Sequence, residues 1–104
     1  MNKRIAGFRA SISFLSPGSG GRLTMPEGDG YAPYFHTDTL DEGLAVRIIG
    51  ISEGASFASL LSVEIELTYH RFLNYGELQL GQRFYLTEGL KRIAEGVIES
   101  ELRC

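Results

Sequence analysis

The sequence predicts an all-β protein, a six-stranded antiparallel closed β-barrel. Apolar and polar residues alternate with a period of two in several short segments, which is typical of strands with one face on a core. Of the 104 residues, 13 are glycine, a high content that indicates many tight turns. Short strands separated by turns at intervals of roughly ten residues form a barrel or a sandwich. A closed barrel is favoured because it leaves no edge exposed in a small domain without covering helices.

The first strand has the clearest boundaries. Phe8, Ala10, Ile12 and Phe14 alternate with small or polar residues, so we expect the four apolar side chains to face a core. The sequence Ser-Pro-Gly-Ser-Gly-Gly at positions 16–21 then predicts a turn-rich loop.

A second strand is predicted at residues 32–37. Pro33 restricts the residue before it to extended geometry. Because proline cannot donate a hydrogen bond to a β-ladder, we expect a short strand at the edge of a sheet.

The middle of the chain predicts two further strands. In the first, Leu44, Val46 and Ile48 alternate with the residues between them, and Gly50 follows the segment. Residues 63–70 give the strongest alternation of apolar and polar residues in the chain. Between them, the apolar residues of 55–61 have roughly helical spacing but no strong cap, so a loop or a single helical turn is predicted there.

The last two strands form a predicted hairpin. Residues 82–87 and 90–99 are separated by Glu88 and Gly89, and this glycine supplies the positive φ that a tight turn requires.

Length and composition set the class of protein. We expect a single domain that spans residues 1–104, with one hydrophobic core. The net charge of −3 does not attract polyanions, so any RNA contact needs a local basic patch. Cys104 is the only cysteine, and no apolar stretch is long enough to span a membrane. A cytoplasmic location is therefore expected.

Few residues carry candidate chemistry. His36 and Asp38 share one face of a strand, which suits a metal or a proton relay, but no third ligand lies nearby in sequence. Glu64 and Glu66 imitate paired catalytic carboxylates, although strand alternation explains them equally well. We therefore expect no metal, no cofactor and no enzymatic activity. A small enzyme remains an alternative, and it requires a pocket that gathers His36 or His70 with a carboxylate.

Residues 20–26, 30–35 and 81–98 resemble segments of the C-terminal β-barrel, domain III, of elongation factor Tu and related translation GTPases. Residues 20–26, Gly-Gly-Arg-Leu-Thr-Met-Pro, and residues 30–35, Gly-Tyr-Ala-Pro-Tyr-Phe, are similar to that family's Gly-Gly-Arg loop and its Gly-Tyr-x-Pro-x-Phe strand. Residues 81–98 look like the family's closing hairpin, which begins Gly-x-Arg-Phe and turns at Glu-Gly. The resemblance covers most of the chain and implies the domain III barrel.

The resemblance also implies positions of contact, and the sequence departs from the family at some of them. Tyr34 stands where the family has a glutamine on its tRNA-facing surface. Gly81 falls where the related barrel approaches the tRNA stem, and His70 aligns with a histidine next to the contact region of the GTPase domain. The sequence contains no Gly-x-x-x-x-Gly-Lys-Ser/Thr phosphate loop, so GTP binding is not expected.

The function predicted from these observations is a non-catalytic binding module that engages a protein, with a translation factor as one candidate. Tyrosine and arginine are favoured in protein interfaces. The predicted partner-binding residues are Tyr34, His70, Arg71, Phe72, Tyr75, Gly81 and Arg83.

The alternative is an RNA-binding or tRNA-binding accessory protein linked to translation. Basic and aromatic residues are interleaved near the final hairpin, a mixture that holds an RNA backbone and stacks bases. These residues are Arg71, Phe72, Tyr75, Arg83, Tyr85, Lys91 and Arg92. Arg83 is equally well explained as an ion-pair partner of Glu88 or Glu66.

A structural role is predicted for the loop residues Gly20, Gly21, Arg22 and Tyr31. Arg22 carries five fixed donors, so we expect it to anchor its loop through hydrogen bonds to backbone carbonyls.

Overall fold

The computed structural model describes residues 7–38, 43–67 and 79–100. The strands in these ranges are β1 (Gly7–Phe14), β2 (Tyr34–His36), β3 (Leu44–Ile49), β4 (Leu61–Leu67), β5 (Arg83–Glu88) and β6 (Lys91–Ile98). A 3-10 turn, Pro17–Ser19, follows β1. None of the described residues belongs to a helix long and apolar enough to cross a bilayer.

The six strands close into a barrel in the order β1-β4-β3-β2-β5-β6. Every pairing is antiparallel, including the β1–β6 pairing that closes the barrel. The predicted all-β, six-stranded antiparallel closed barrel is therefore confirmed.

Strand β2 is short, as predicted, but the prediction that it lies at an edge is wrong. Tyr34 pairs with Ala45 of β3 on one side and with Thr87 of β5 on the other. Pro33 lies just before the strand, and its carbonyl accepts a hydrogen bond from the Val46 N–H at 3.3 Å. A proline that is needed only as an acceptor does not interrupt the barrel.

The connection between β3 and β4 is a loop, as the sequence predicted. Turns occupy parts of residues 50–60, and the Ala58 N–H donates to the Phe14 carbonyl at 2.8 Å. Strand β4 begins at Leu61, two positions before the predicted start, and the predicted end of this strand at residues 68–70 lies outside the described residues.

Three phenylalanines lie at the centre of the core. The ring of Phe35 is 5.6 Å from that of Phe8 and 4.6 Å from that of Phe84, measured between centroids. Gly96 makes room for them, because a Cβ atom at this position would lie 2.6 Å from Phe84 Cζ. The alternating apolar residues of β1 and β4 complete the same core, as their spacing predicted.

Candidate binding surface

The outer surface of β2, β5 and β6 carries a set of polar and aromatic side chains, which we call the β2–β5–β6 face. Inward residues of these strands are buried, and the alternating residues point to solvent. The outward residues that define the face are Tyr34, His36, Arg83, Tyr85, Arg92, Glu95 and Val97.

Tyr85 is the centre of a three-layer stack on this face. The imidazole of His36 lies parallel to its ring, with 5.0 Å between centroids and an interplanar angle of 5°. The guanidinium carbon of Arg92 lies 3.8 Å from the centroid of the same ring. Because β2 and β6 pair with β5 from opposite sides, the two faces of the Tyr85 ring are both covered.

A β-bulge brings Arg92 to this stack. The β5–β6 register pairs Leu86 with Ala94 and Thr87 with Arg92, so Ile93 is the extra residue. Without the bulge, Arg92 would lie opposite Glu88, one position further from Tyr85. A local irregularity of the barrel therefore positions a charged side chain.

His36 is held by its neighbours. Its Nε2 atom and the Thr87 Oγ1 atom share a hydrogen bond of 2.9 Å, and Thr87 is buried. Burial lowers the pKa of His36 below its ordinary value of 6.5, and the positive charge of Arg92 lowers it further. Across the described ranges, no three histidine, cysteine, aspartate or glutamate residues are placed to hold a metal ion.

A concave groove of about 400 Å³ lies along the β2–β5–β6 face. It extends from the end of β2, at Thr37 and Asp38, across β5 to β6. Its walls combine charged, aromatic and apolar side chains. The lining residues are Thr37, Asp38, Arg83, Phe84, Tyr85, Arg92, Glu95, Gly96 and Val97.

Arg83 differs from the other arginine of the groove in its electrostatic surroundings. Arg92 Nη1 lies 3.4 Å from Glu95 Oε2. Arg83 has no carboxylate within 4.0 Å among the residues that the structure describes. Its suggested ion pairs with Glu88 and Glu66 do not form. Glu88 lies at the opposite end of β5, where it pairs with Arg22, and Glu66 lies on β4, where it pairs with Arg47.

The structure places only some of the predicted partner-binding residues. The side chain of Tyr34 is 51% exposed, and Arg83 lies further along the same face. Gly81 is exposed in the turn before β5, with φ of +84°, and its N–H donates to the Ile98 carbonyl at 2.8 Å. The others, His70, Arg71, Phe72 and Tyr75, lie outside the described residues.

The predicted structural loop is fastened to the β5–β6 hairpin by three side chains, which we call the clasp: Arg22, Tyr31 and Glu88. Arg22 forms an ion pair with Glu88 Oε2, and the Tyr31 hydroxyl donates to the same oxygen at 2.5 Å. Arg22 Nε also donates to the Thr24 carbonyl at 3.0 Å, which confirms the predicted backbone contact. The contact with Glu88 was not predicted.

Two glycines shape the chain around the clasp. A Cβ atom on Gly21 would lie 1.9 Å from the Leu15 carbonyl oxygen, so only glycine fits there. Gly89 has φ of +62° in the hairpin turn next to Glu88, which confirms the predicted positive φ. Gly20 lies at the end of the 3-10 turn.

The clasp shifts the protonation equilibria of its members. Burial tends to raise the pKa of Glu88, but the hydrogen bonds from Tyr31 and Arg22 outweigh burial and lower it below its ordinary value of 4.5. Burial raises the pKa of the Tyr31 hydroxyl strongly, and its hydrogen bond to Glu88 raises it further. At neutral pH a charged carboxylate therefore accepts from a neutral phenol.

No protein-family model matches the chain, and no curated protein matches it significantly. The fold and its side chains define a small antiparallel β-barrel with a groove on one outer face.

Proposed function

We propose that this protein is a non-catalytic binding module that engages a protein partner through the β2–β5–β6 face. The observation that carries the proposal is the groove of about 400 Å³, lined by Arg83, Tyr85 and Arg92 on the same face as the exposed Tyr34. Arginine and tyrosine are enriched among the residues that dominate binding energy in protein interfaces.

The stack on the face supports this proposal. Tyr85 and Arg92 hold each other in place, and His36 is fixed by both Tyr85 and Thr87. Side chains that are already ordered lose less conformational entropy when a partner binds. The β2–β5–β6 face is therefore a pre-ordered surface that a partner can bind at a low cost in conformational entropy.

The resemblance to domain III of elongation factor Tu supports a partner in translation. We propose that the barrel is related to that domain, that it acts without a GTPase domain in the cytoplasm, and that a translation factor or a chain with a related domain binds it. Tyr34 replaces a glutamine of the family's tRNA-facing surface. An exposed tyrosine at this point favours a protein over the tRNA contact.

Two observations favour protein over RNA at the groove. Both faces of the Tyr85 ring are covered, so it offers no free surface for a base to stack on. Asp38 and Glu95 also line the groove, and their negative charges repel a phosphate backbone.

The arrangement of His36 supports a role other than catalysis. The enzyme alternative requires His36 or His70, and of these two the structure describes His36. The His36 ring is hydrogen-bonded to Thr87 and stacked on Tyr85. Burial and Arg92 both lower its pKa, so the imidazole adds no positive charge to the face at neutral pH.

The test is affinity capture of the tagged chain from its own cell extract, with and without nuclease. We expect Tyr34→Ala to reduce the recovery of a specific partner. The matched control is Arg47→Gln, which removes an exposed ion pair with Glu66 on β3 and β4, away from the face. Recovery that survives Tyr34→Ala and Arg83→Gln together, or that disappears with nuclease, overturns the proposal.

A further inference from the structure

We propose that the groove binds a short extended segment of the protein partner that carries one carboxylate side chain and, two residues away, one apolar side chain. This inference rests on the proposed function, since it takes the partner to be a protein. It assigns Arg83 to the carboxylate and Val97 to the apolar side chain.

The charge surroundings of Arg83 point to a carboxylate. Arg92, which also lines the groove, is paired with Glu95, whereas the Arg83 guanidinium has no carboxylate within 4.0 Å among the residues that the structure describes. A guanidinium has a planar fork of donors that matches the two oxygens of a carboxylate. Arg83 is exposed and lines the groove, so a carboxylate of a partner can reach it.

The register places an apolar side chain beside this cation. Arg83 of β5 pairs with Val97 of β6, and paired residues have Cβ atoms roughly 5 Å apart on one face of a sheet. Val97 is only half-buried, so part of its surface is available for contact. In an extended segment, side chains two residues apart point the same way and lie about 7 Å from each other. We therefore expect a Glu-x-Leu sequence to reach both residues, because the long Arg83 side chain can span the difference of about 2 Å between the two spacings.

The other charges of the groove limit the segment to a single carboxylate. Asp38 and Glu95 both line the groove, and Glu95 is only partly neutralised by Arg92 at 3.4 Å. One carboxylate at Arg83 gains a direct ion pair. Further negative charges meet Asp38 and Glu95 and are repelled, so a strongly acidic segment is disfavoured.

The experiment is an NMR titration of the isotope-labelled full chain with three capped hexapeptides. Their sequences are Gly-Ser-Glu-Ser-Leu-Gly, the same peptide with glutamine in place of glutamate, and Gly-Glu-Glu-Glu-Leu-Gly. We expect the first to shift the backbone amides of residues 37–38, 83–85 and 95–97. The glutamine peptide should bind roughly tenfold more weakly, since a hydrogen bond to a charged group is lost.

Two variants of the chain complete the experiment. Arg83→Gln should weaken the binding of the first peptide roughly tenfold, as the glutamine peptide does, and Arg47→Gln, a matched loss of one exposed charge, should leave it unchanged. The dispersion of the amide spectrum shows that each variant is folded.

Several results would overturn the inference. They are the absence of groove shifts at millimolar peptide, equal binding of the glutamine peptide, tighter binding of the triple-glutamate peptide, or an undiminished response in Arg83→Gln. If the peptides fail while capture of the partner still depends on Tyr34, only this inference is wrong. If capture does not depend on the face, the proposed function is wrong whatever the peptides do.

Discussion

A single carboxylate oxygen, Glu88 Oε2, accepts hydrogen bonds from both Arg22 and Tyr31 and so joins a loop to a hairpin. We expect Tyr31→Phe to lower the free energy of unfolding by about 1–2 kcal/mol, because a hydrogen bond to a charged group is lost while the ring is kept. The ring still packs 6.0 Å from that of Phe14. Urea denaturation measures the change.

The matched control for this change is Tyr34→Phe. The Tyr34 side chain is half exposed on the outer face, so removal of its hydroxyl should alter stability by no more than about 0.5 kcal/mol. Equal effects of the two substitutions would show that the clasp contributes nothing measurable.

Acid should weaken the clasp through Glu88. Its pKa in the folded protein is below the ordinary value of 4.5, so the unfolded chain binds a proton first as the pH falls. The stabilisation is complete above that ordinary value and is lost as the pH decreases through the folded pKa. We expect the stability advantage of the wild type over Glu88→Gln to shrink between neutral pH and about pH 3, as measured by urea unfolding. A constant advantage over this range would contradict the prediction.

The stack on Tyr85 makes a prediction about His36. Burial and the charge of Arg92 both lower its pKa from 6.5, and burial is the larger cause. We therefore expect Arg92→Gln to raise the pKa of His36, while leaving it below that ordinary value. NMR titration of the imidazole protons measures the pKa directly. Arg47→Gln, which removes a more distant charge, should leave it unchanged. An unchanged pKa of His36 in Arg92→Gln would show that the charge of Arg92 does not lower it.

At the scale of the elements, periodicity predicted strands well wherever one face is buried. The alternation in β1 and β4 gave their core faces, since Phe8, Ile12, Val63 and Ile65 are all buried. The predicted position of β2 at an edge of the sheet was wrong for a physical reason. A proline next to a strand indicates a missing donor, but the need for that donor depends on which strand lies opposite, and that is a long-range property.

The loop between β1 and β2 depends on one close approach. We expect Gly21→Ala to lower the free energy of unfolding by about 2–3 kcal/mol, because the new Cβ would lie 1.9 Å from the Leu15 carbonyl oxygen and the backbone must move. Gly30→Ala is the matched control in the same loop, where a Cβ meets nothing within 4 Å. Thermal or urea unfolding compares the two variants. A Gly21→Ala protein as stable as Gly30→Ala would contradict this packing.

At the scale of the whole molecule, the order in which the strands pair to close the barrel could not be predicted from the sequence. The glycine spacing and the alternation predicted six antiparallel strands, but the pairing of β1 with both β4 and β6 joins segments far apart in the chain. The same holds for the candidate surface. The stack of Tyr85 with His36 and Arg92 requires both the strand order and the bulge at Ile93, and neither has a local signal. The clasp likewise joins Arg22 to Glu88, which lies 66 positions further along the chain.

The net charge of the whole molecule affects its affinity for nucleic acid. The net charge is −3. Within the groove, the positive charges of Arg83 and Arg92 lie beside the negative charges of Asp38 and Glu95. Phosphate contacts provide most of the non-specific affinity for RNA, so we expect a mixture of tRNAs to bind no more tightly than about 100 µM at physiological salt. Fluorescence anisotropy with labelled tRNA at several salt concentrations measures this. Tight binding that falls steeply with salt, and that is lost when Arg71 and Arg83 are replaced together, would establish the RNA-binding alternative instead.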